Sequence, residues 1–140
     1  KLEDLQMVYP GRLTVCLRFD NKLAHRIYAG SDFFLMPSKY EPCGLGQLIS
    51  LRYGTVPIVR QTGGLADTIS EFDRASNSGN GFLFGPYTAR SLVGAVSRAL
   101  DVYSDRSAFE KLSQECMKYD YSWKRSAAEY AKLYHSLLNP

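Results

Sequence analysis

The sequence predicts an α/β fold: a partial, Rossmann-like parallel sheet of about four strands, helices on both of its faces, and a helical C-terminus. Three observations predict it. Short apolar or β-branched runs alternate with helix-period segments from Leu13 to Tyr103. Glycine-bearing turns join a run to the following helix at Gly44 and again at Gly63-Gly64. Beyond Ser107 only helical patterns remain. Strand, helix, strand, helix in succession is the mark of parallel βαβ units.

The chain opens on a helical segment, Leu2 to Tyr9, and Pro10-Gly11 closes it. Leu13-Thr-Val-Cys-Leu17 is β-rich and is expected to be a strand. Asn21 is the expected cap of a helix from Lys22 to about Tyr28, ended by Gly30. Its apolar residues Leu23, Ala24, Ile27 and Tyr28 fall on one helical face. Asp32 to Met36 is a continuous apolar run, expected to be a strand buried on both faces, and Pro37 stops it.

Gly44 to Tyr53 predicts a helix, with Gly54 past its end. Val56 to Val59 is the next strand, and Pro57 suits a first ladder position or an edge. Thr62-Gly-Gly64 is a turn, and a short helix spans Leu65 to Ser70. Ser76 to Gly81 is rich in Ser, Asn and Gly and reads as a surface loop. Phe82-Leu-Phe84 is a last short strand, and Thr88 caps a helix running to about Tyr103. Two more helices are expected, Ser107 to Lys118 and Ser122 to Leu138. A complete doubly wound domain has roughly six strands. The shortfall, and a start inside a helix without methionine, lead us to expect that residues 1–140 are one truncated domain of a longer protein.

Composition narrows the classes. The 140 residues make one domain, and 45% hydrophobic content suffices for a core. A net charge of +3 is too small to argue for nucleic acid. Cys16, Cys43 and Cys116 are odd in number and far apart, against a disulfide framework or a structural zinc site. No apolar run approaches the ~20 residues that span a bilayer, and no signal peptide is evident. The expectation is a protein of the reducing cytoplasm, without membrane, metal or cofactor.

The chemistry is expected where strands end at glycine turns. In an open parallel sheet, ligands bind at the carboxyl ends of the strands. Helix N-termini there present unpaired N–H groups to anions. One such turn is an ordinary connection more often than a site; two on one sheet edge favour a ligand. Known phosphate motifs do not fit. Gly44-Leu-Gly46 begins like a dinucleotide fingerprint, but Ile49 replaces the third glycine. There is no P-loop and no Gly-x-Ser-x-Gly elbow. Glu41 precedes the first turn, and Pro42 restricts it to extended backbone. A lone loop glutamate is commonly a solvated charge; beside this turn, a role in the site is favoured.

Tyr40-Glu-Pro-Cys-Gly-Leu45 is followed by Tyr53-Gly-Thr-Val-Pro-Ile-Val-Arg-Gln-Thr-Gly-Gly-Leu-Ala-Asp-Thr68. The pair strongly resembles the C-terminal domain of bacterial glycogen synthases and plant starch synthases. The similarity extends to His25-Arg26-Ile27, Gly30-Ser-Asp32, Met36-Pro-Ser38, Gly81-Phe82 and Tyr121-Ser-Trp123, and so covers nearly the whole chain. Many related glycosyltransferases have a second glutamate where this chain has Ile49, which fits the starch and glycogen synthase branch.

The resemblance implies the C-terminal half of a GT-B glycosyltransferase of the retaining type. It would move glucose from ADP-glucose to the non-reducing end of an α-1,4-glucan, with an N-terminal domain completing the cleft. It implies that Glu41 sits at the donor glucose as the essential carboxylate. The backbone of Cys43, Gly44 and Leu45 would meet glucose hydroxyls, and Thr62-Gly63 would hold the diphosphate. Phe19 would stack on the adenine, with a core position at a strand end as the alternative. The family's phosphate-binding Arg and Lys fall outside the chain, so the fragment alone is expected to be inactive. The alternatives are a non-catalytic nucleotide-sugar-binding module and a related transferase using UDP-glucose.

Other residues are read more plainly. His25 is favoured as a packed or capping group over a catalyst. Arg60 either attracts diphosphate or is solvated or salt-bridged. Cys43 has no evident base partner and takes a packing or backbone role. Tyr119, Tyr121, Trp123, Tyr130 and Tyr134 suit helix packing better than a glucan platform. An exposed apolar face on the last helix would allow a homodimer of the fragment.

Overall fold

Three apolar runs pair into the sheet. The computed structural model describes residues 1–139. The strands are β1 (Phe33–Met36), β2 (Val56–Arg60) and β3 (Phe82–Phe84), all parallel and in the spatial order β1-β2-β3. Helices are α1 (Leu2–Val8), α2 (Asn21–Gly30), α3 (Gly46–Arg52), α4 (Gly63–Thr68), α5 (Ala89–Ser104), α6 (Arg106–Cys116) and α7 (Trp123–Leu138). Chain order equals spatial order, so Met36, Arg60 and Phe84 end on one edge of the sheet. The two glycine turns follow the first two of those ends.

The expected strand at Leu13 to Leu17 does not form; these residues are irregular, and the sheet has three strands, not about four. β propensity measures fit to a paired, half-buried surface, and this run has no neighbouring strand. Near it, Val15 only donates its N–H to the Gln6 side chain. Strand β1 is likewise not buried on both faces. It lies at the sheet edge, and Leu35 is 45% exposed. Full burial falls to β2, where Val56 to Val59 are all buried although alternate residues point to opposite faces.

Pro57 stands in the central strand and not at an edge, just ahead of the first β2–β3 ladder pair. The ladder accommodates it. The Val56 N–H donates to the Asp32 carbonyl on the β1 side, so the Pro57 nitrogen faces β3. Strand β3 starts pairing only opposite Ile58, so no ladder bond is lost. The cap of α2 is Asp20, one residue before the expected Asn21, with its carboxylate accepting from Leu23 N at 2.9 Å. Gly30 is the last residue of that helix. Gly54, at φ +73°, closes α3 as expected.

The core lies between β2, β3, α5 and α6. Ala95, Ala99, Leu112 and Cys116 are fully buried there, with Val56, Val59 and Leu65. Phe33 meets the rings of Phe82, Tyr103 and Phe109 at centroid distances of 6.4, 5.7 and 5.3 Å. Asn80, expected in a surface loop, is fully buried. Its amide donates to the Thr68 carbonyl at 3.1 Å, and its oxygen accepts from Ser70 N at 2.7 Å. The apolar residues of α7 are exposed: Trp123 by 86% and Leu138 by 78%.

Two charged side chains cover the outer edge of β3. Glu71 accepts from Leu83 N at 2.6 Å, and Arg98 donates to Leu83 O at 2.7 Å. The two side chains are joined to each other at 2.9 Å. Both polar groups of the Leu83 peptide edge are thereby satisfied without a fourth strand.

Candidate functional site

The segment after β1 and the turn after β2 are packed backbone against backbone. Gly64 N donates to Glu41 O at 3.0 Å and to Pro42 O at 3.2 Å. A Cβ on Gly63 would fall 2.1 Å from Glu41 O, and one on Gly64 would fall 2.0 Å from Cys43 O. Both neighbours are backbone atoms, so no side chain fits at either position. Gly63 also has φ +45°, which disfavours any other residue. The doublet Gly63-Gly64 is therefore required by the approach of the Glu41–Cys43 backbone.

The predicted site residues divide clearly. Glu41, Cys43, Gly44, Thr62 and Gly63 come together at this junction. The Glu41 side chain is half-buried, and its Oε2 accepts from the Ser38 hydroxyl at 3.4 Å. Leu45 caps α3 and is 70% exposed. Among the described residues, no acceptor takes the backbone N–H groups of Cys43, Gly44, Leu45, Thr62 or Gly63. Such groups require a partner, either water or ligand. Gly64 N–H, by contrast, is already used within the protein.

Phe19 is 93% exposed on irregular chain just before the α2 cap, so it is neither a core residue nor at a strand end. His25 binds the Tyr53 hydroxyl through Nδ1 at 3.0 Å. Arg60 is half-exposed and, among the described residues, has no carboxylate partner. Its Nε donates to Gly85 O at 3.1 Å, a terminal nitrogen donates to Lys39 O, and the guanidinium lies 5.4 Å from the centre of the Tyr87 ring. It ties the segment before Glu41 to the loop after β3.

Sequence reasoning missed Gln47. It is fully buried in the first turn of α3. Its Nε2 donates to Cys43 O at 3.2 Å, Gly44 O at 3.0 Å and Thr68 Oγ1 at 3.3 Å. Thr68 Oγ1 in turn donates to Gly64 O at 2.6 Å. Gly44, at φ +72°, leaves room for this amide; a Cβ there would meet Gln47 Oε1 at 2.5 Å. The available signal was a long amide side chain three residues after a turn glycine, within reach of that turn's carbonyls.

Residues 9–116 match the family described as glycosyl transferases group 1. The chain belongs to that family. It is 54% identical over 136 residues to a glycogen synthase of Desulforudis audaxviator, covering 96% of this chain and 27% of that protein. It is 52% identical over 130 residues to a glycogen synthase of Bacillus anthracis, covering 93% and 27%. The chain thus spans about 27% of the length of these curated relatives.

Its fold superposes on the catalytic domain of starch synthase IV from Arabidopsis thaliana, a structure bound to ADP and acarbose. The TM-score is 0.82 at 35% identity, over 96% of this chain and 28% of that one. Sucrose-phosphate synthase from Thermosynechococcus elongatus follows at a TM-score of 0.70 and 26% identity, over 98% and 33%. The three-stranded sheet and its helices are therefore those of a group 1 glycosyl transferase C-terminal domain of GT-B type. Among the described residues no His, Cys, Asp and Glu cluster is arranged for a metal, and no helix is long and apolar enough to cross a membrane.

Proposed function

We propose that this chain is the nucleotide-sugar-binding domain of a retaining glucosyltransferase of glycogen or starch synthesis. It takes glucose from ADP-glucose and, with an acceptor-binding domain, delivers it to the non-reducing end of an α-1,4-glucan. The observation that carries this reading is the contact between the two turns. Gly64 N lies 3.0 Å from Glu41 O, so a ligand touching the Glu41–Leu45 backbone is also within reach of Thr62 and Gly63. The glycogen synthase relatives support the reaction class. The ADP held by the starch synthase supports the nucleotide.

The roles follow from where charge develops. Breaking a glycosyl–phosphate bond leaves positive charge on the sugar and negative charge on the departing diphosphate. The Glu41 carboxylate answers the first, and the free N–H groups of Thr62 and Gly63 answer the second. The N–H groups of Cys43, Gly44 and Leu45 hold glucose hydroxyls. Exposed Phe19 supplies a flat face for the base.

The test is Glu41→Ala in a synthase-length polypeptide carrying this chain, with glycogen as acceptor and ADP-glucose or UDP-glucose as donor. Transfer should fall by about 10²-fold or more with the fold intact. Undiminished transfer would make the domain a binding module, and faster turnover of UDP-glucose would change the donor.

A further inference from the structure

We propose that Gln47 is a positioning residue that sets the spacing between the two turns, and that Thr68 relays its effect. The Glu41–Gly44 segment and the Gly63-Gly64 turn belong to different βα units. Their direct link is the Gly64 N–H bond to Glu41 O and Pro42 O. Gln47 supplies a second link from beneath. One buried amide holds Cys43 O and Gly44 O on one side and the Thr68 hydroxyl on the other. Thr68 passes the contact to Gly64 O, at 2.6 Å. Two carbonyls of the first turn and one of the second are thus tied through a single, part-buried chain of hydrogen bonds.

A packing role does not account for this residue. Gln47 Oε1 is buried and has no donor. An unpaired buried oxygen opposes folding, and a methionine of similar shape would carry none. Methionine would also leave Cys43 O, Gly44 O and Thr68 Oγ1 without this donor, so the amide is kept for those contacts and not for packing. What the amide adds is donation from its two Nε2 hydrogens to three acceptors, one hydrogen being shared. Under the functional reading above, this spacing fixes the sugar-binding N–H groups of Cys43 to Leu45 relative to the diphosphate-binding groups of Thr62 and Gly63. Small misplacements at such a junction carry large kinetic effects. Of the two turns, free ADP touches only the second and should not sense the spacing.

The substitutions are Gln47→Met, Thr68→Val and Thr68→Ser. Two measurements separate the clasp from its catalytic consequence. The first is hydrogen exchange at the Gly64 amide in this chain. Gln47→Met and Thr68→Val should speed it by about tenfold while Val59 in the central strand stays protected, and Thr68→Ser should restore it. The second rests on the glucosyl-transfer reading and uses the synthase-length polypeptide. There kcat should fall by about tenfold or more in Gln47→Met, and less in Thr68→Val. The inhibition constant of ADP should stay unchanged. Unaltered Gly64 exchange in both variants would overturn the clasp, with or without activity. Faster exchange with unchanged kcat, or with ADP binding lost in parallel, would overturn the positioning role. A wild-type polypeptide without transfer would overturn the functional reading, and the exchange result would still decide the clasp.

Discussion

Replacing Gly64 by alanine tests the contact on which the site is built. Gly64 has no positive φ, so alanine meets no conformational obstacle there. The obstacle is steric. The new Cβ would lie 2.0 Å from Cys43 O, 2.6 Å from Cys43 C and 2.7 Å from Cys43 Cα. None of these atoms can rotate away. Returning the closest pair to a tolerable contact requires the two turns to part by about 1 Å. That stretches the Gly64 N bond to Glu41 O from 3.0 Å beyond hydrogen-bonding range. The lost bond costs about 1 kcal/mol, and the overpacking about 1–3 kcal/mol. A loss of about 2–4 kcal/mol is therefore expected, read as a lower urea midpoint at unchanged slope. Gly94→Ala is the matched control. It lies inside α5 with nothing within 4 Å of its added Cβ. It should stabilise by roughly 0.5–1 kcal/mol. Equal midpoints for Gly64→Ala and the parent chain would refute the backbone contact as described.

Two further outcomes are expected. Burial pushes the Cys116 thiol up to about 12 from its ordinary 9.0, so the folded state favours the protonated thiol. That contribution is complete below pH 9, and falls away as pH rises through the folded value. Tyr28, Tyr119 and Tyr121 are raised by burial and act in the same direction. Urea midpoints measured from pH 8 upward should decline, and Cys116→Ala should flatten part of that slope. Arg60→Lys loses the planar fork between Gly85 O and Lys39 O, although it keeps the charge. A loss of about 1–2 kcal/mol and faster amide exchange around Lys39 are expected; exchange unchanged at Lys39 would leave Arg60 as a surface charge.

Legibility followed locality. The runs at Phe33, Val56 and Phe82 each have helix-period segments beside them, and each became a strand of the sheet. Leu13 to Leu17 is also β-rich but has no paired neighbour, and pairing is a tertiary fact that a run does not carry. A missing N–H is costly in a ladder, so Pro57 suits a first ladder position or an edge; the late start of β3 admits it in the central strand. Turn chemistry and the resemblance single out Glu41, Cys43, Gly44, Thr62 and Gly63, and the fold brings those five together. The reason for Gly64 is not readable from the sequence, since it depends on Cys43 O from another βα unit. Gln47, Thr68 and Asn80 escaped notice for the same reason. Each looks like a routine polar residue until the fold joins Gln47 to Thr68 Oγ1 and Asn80 to Thr68 O.

The clasp of Glu71 and Arg98 on Leu83 has a bearing on how this chain behaves in a crowded tube. Phe82-Leu-Phe84 is short, uncharged and apolar, the composition that recruits a like strand when its edge is bare. With Leu83 N and O both occupied, that edge offers no template. Both clasp side chains are substantially exposed, so their mutual attraction is open to screening. Concentrated salt should therefore shorten the storage life of the chain before it alters its melting, because the first thing released is a strand edge rather than the core.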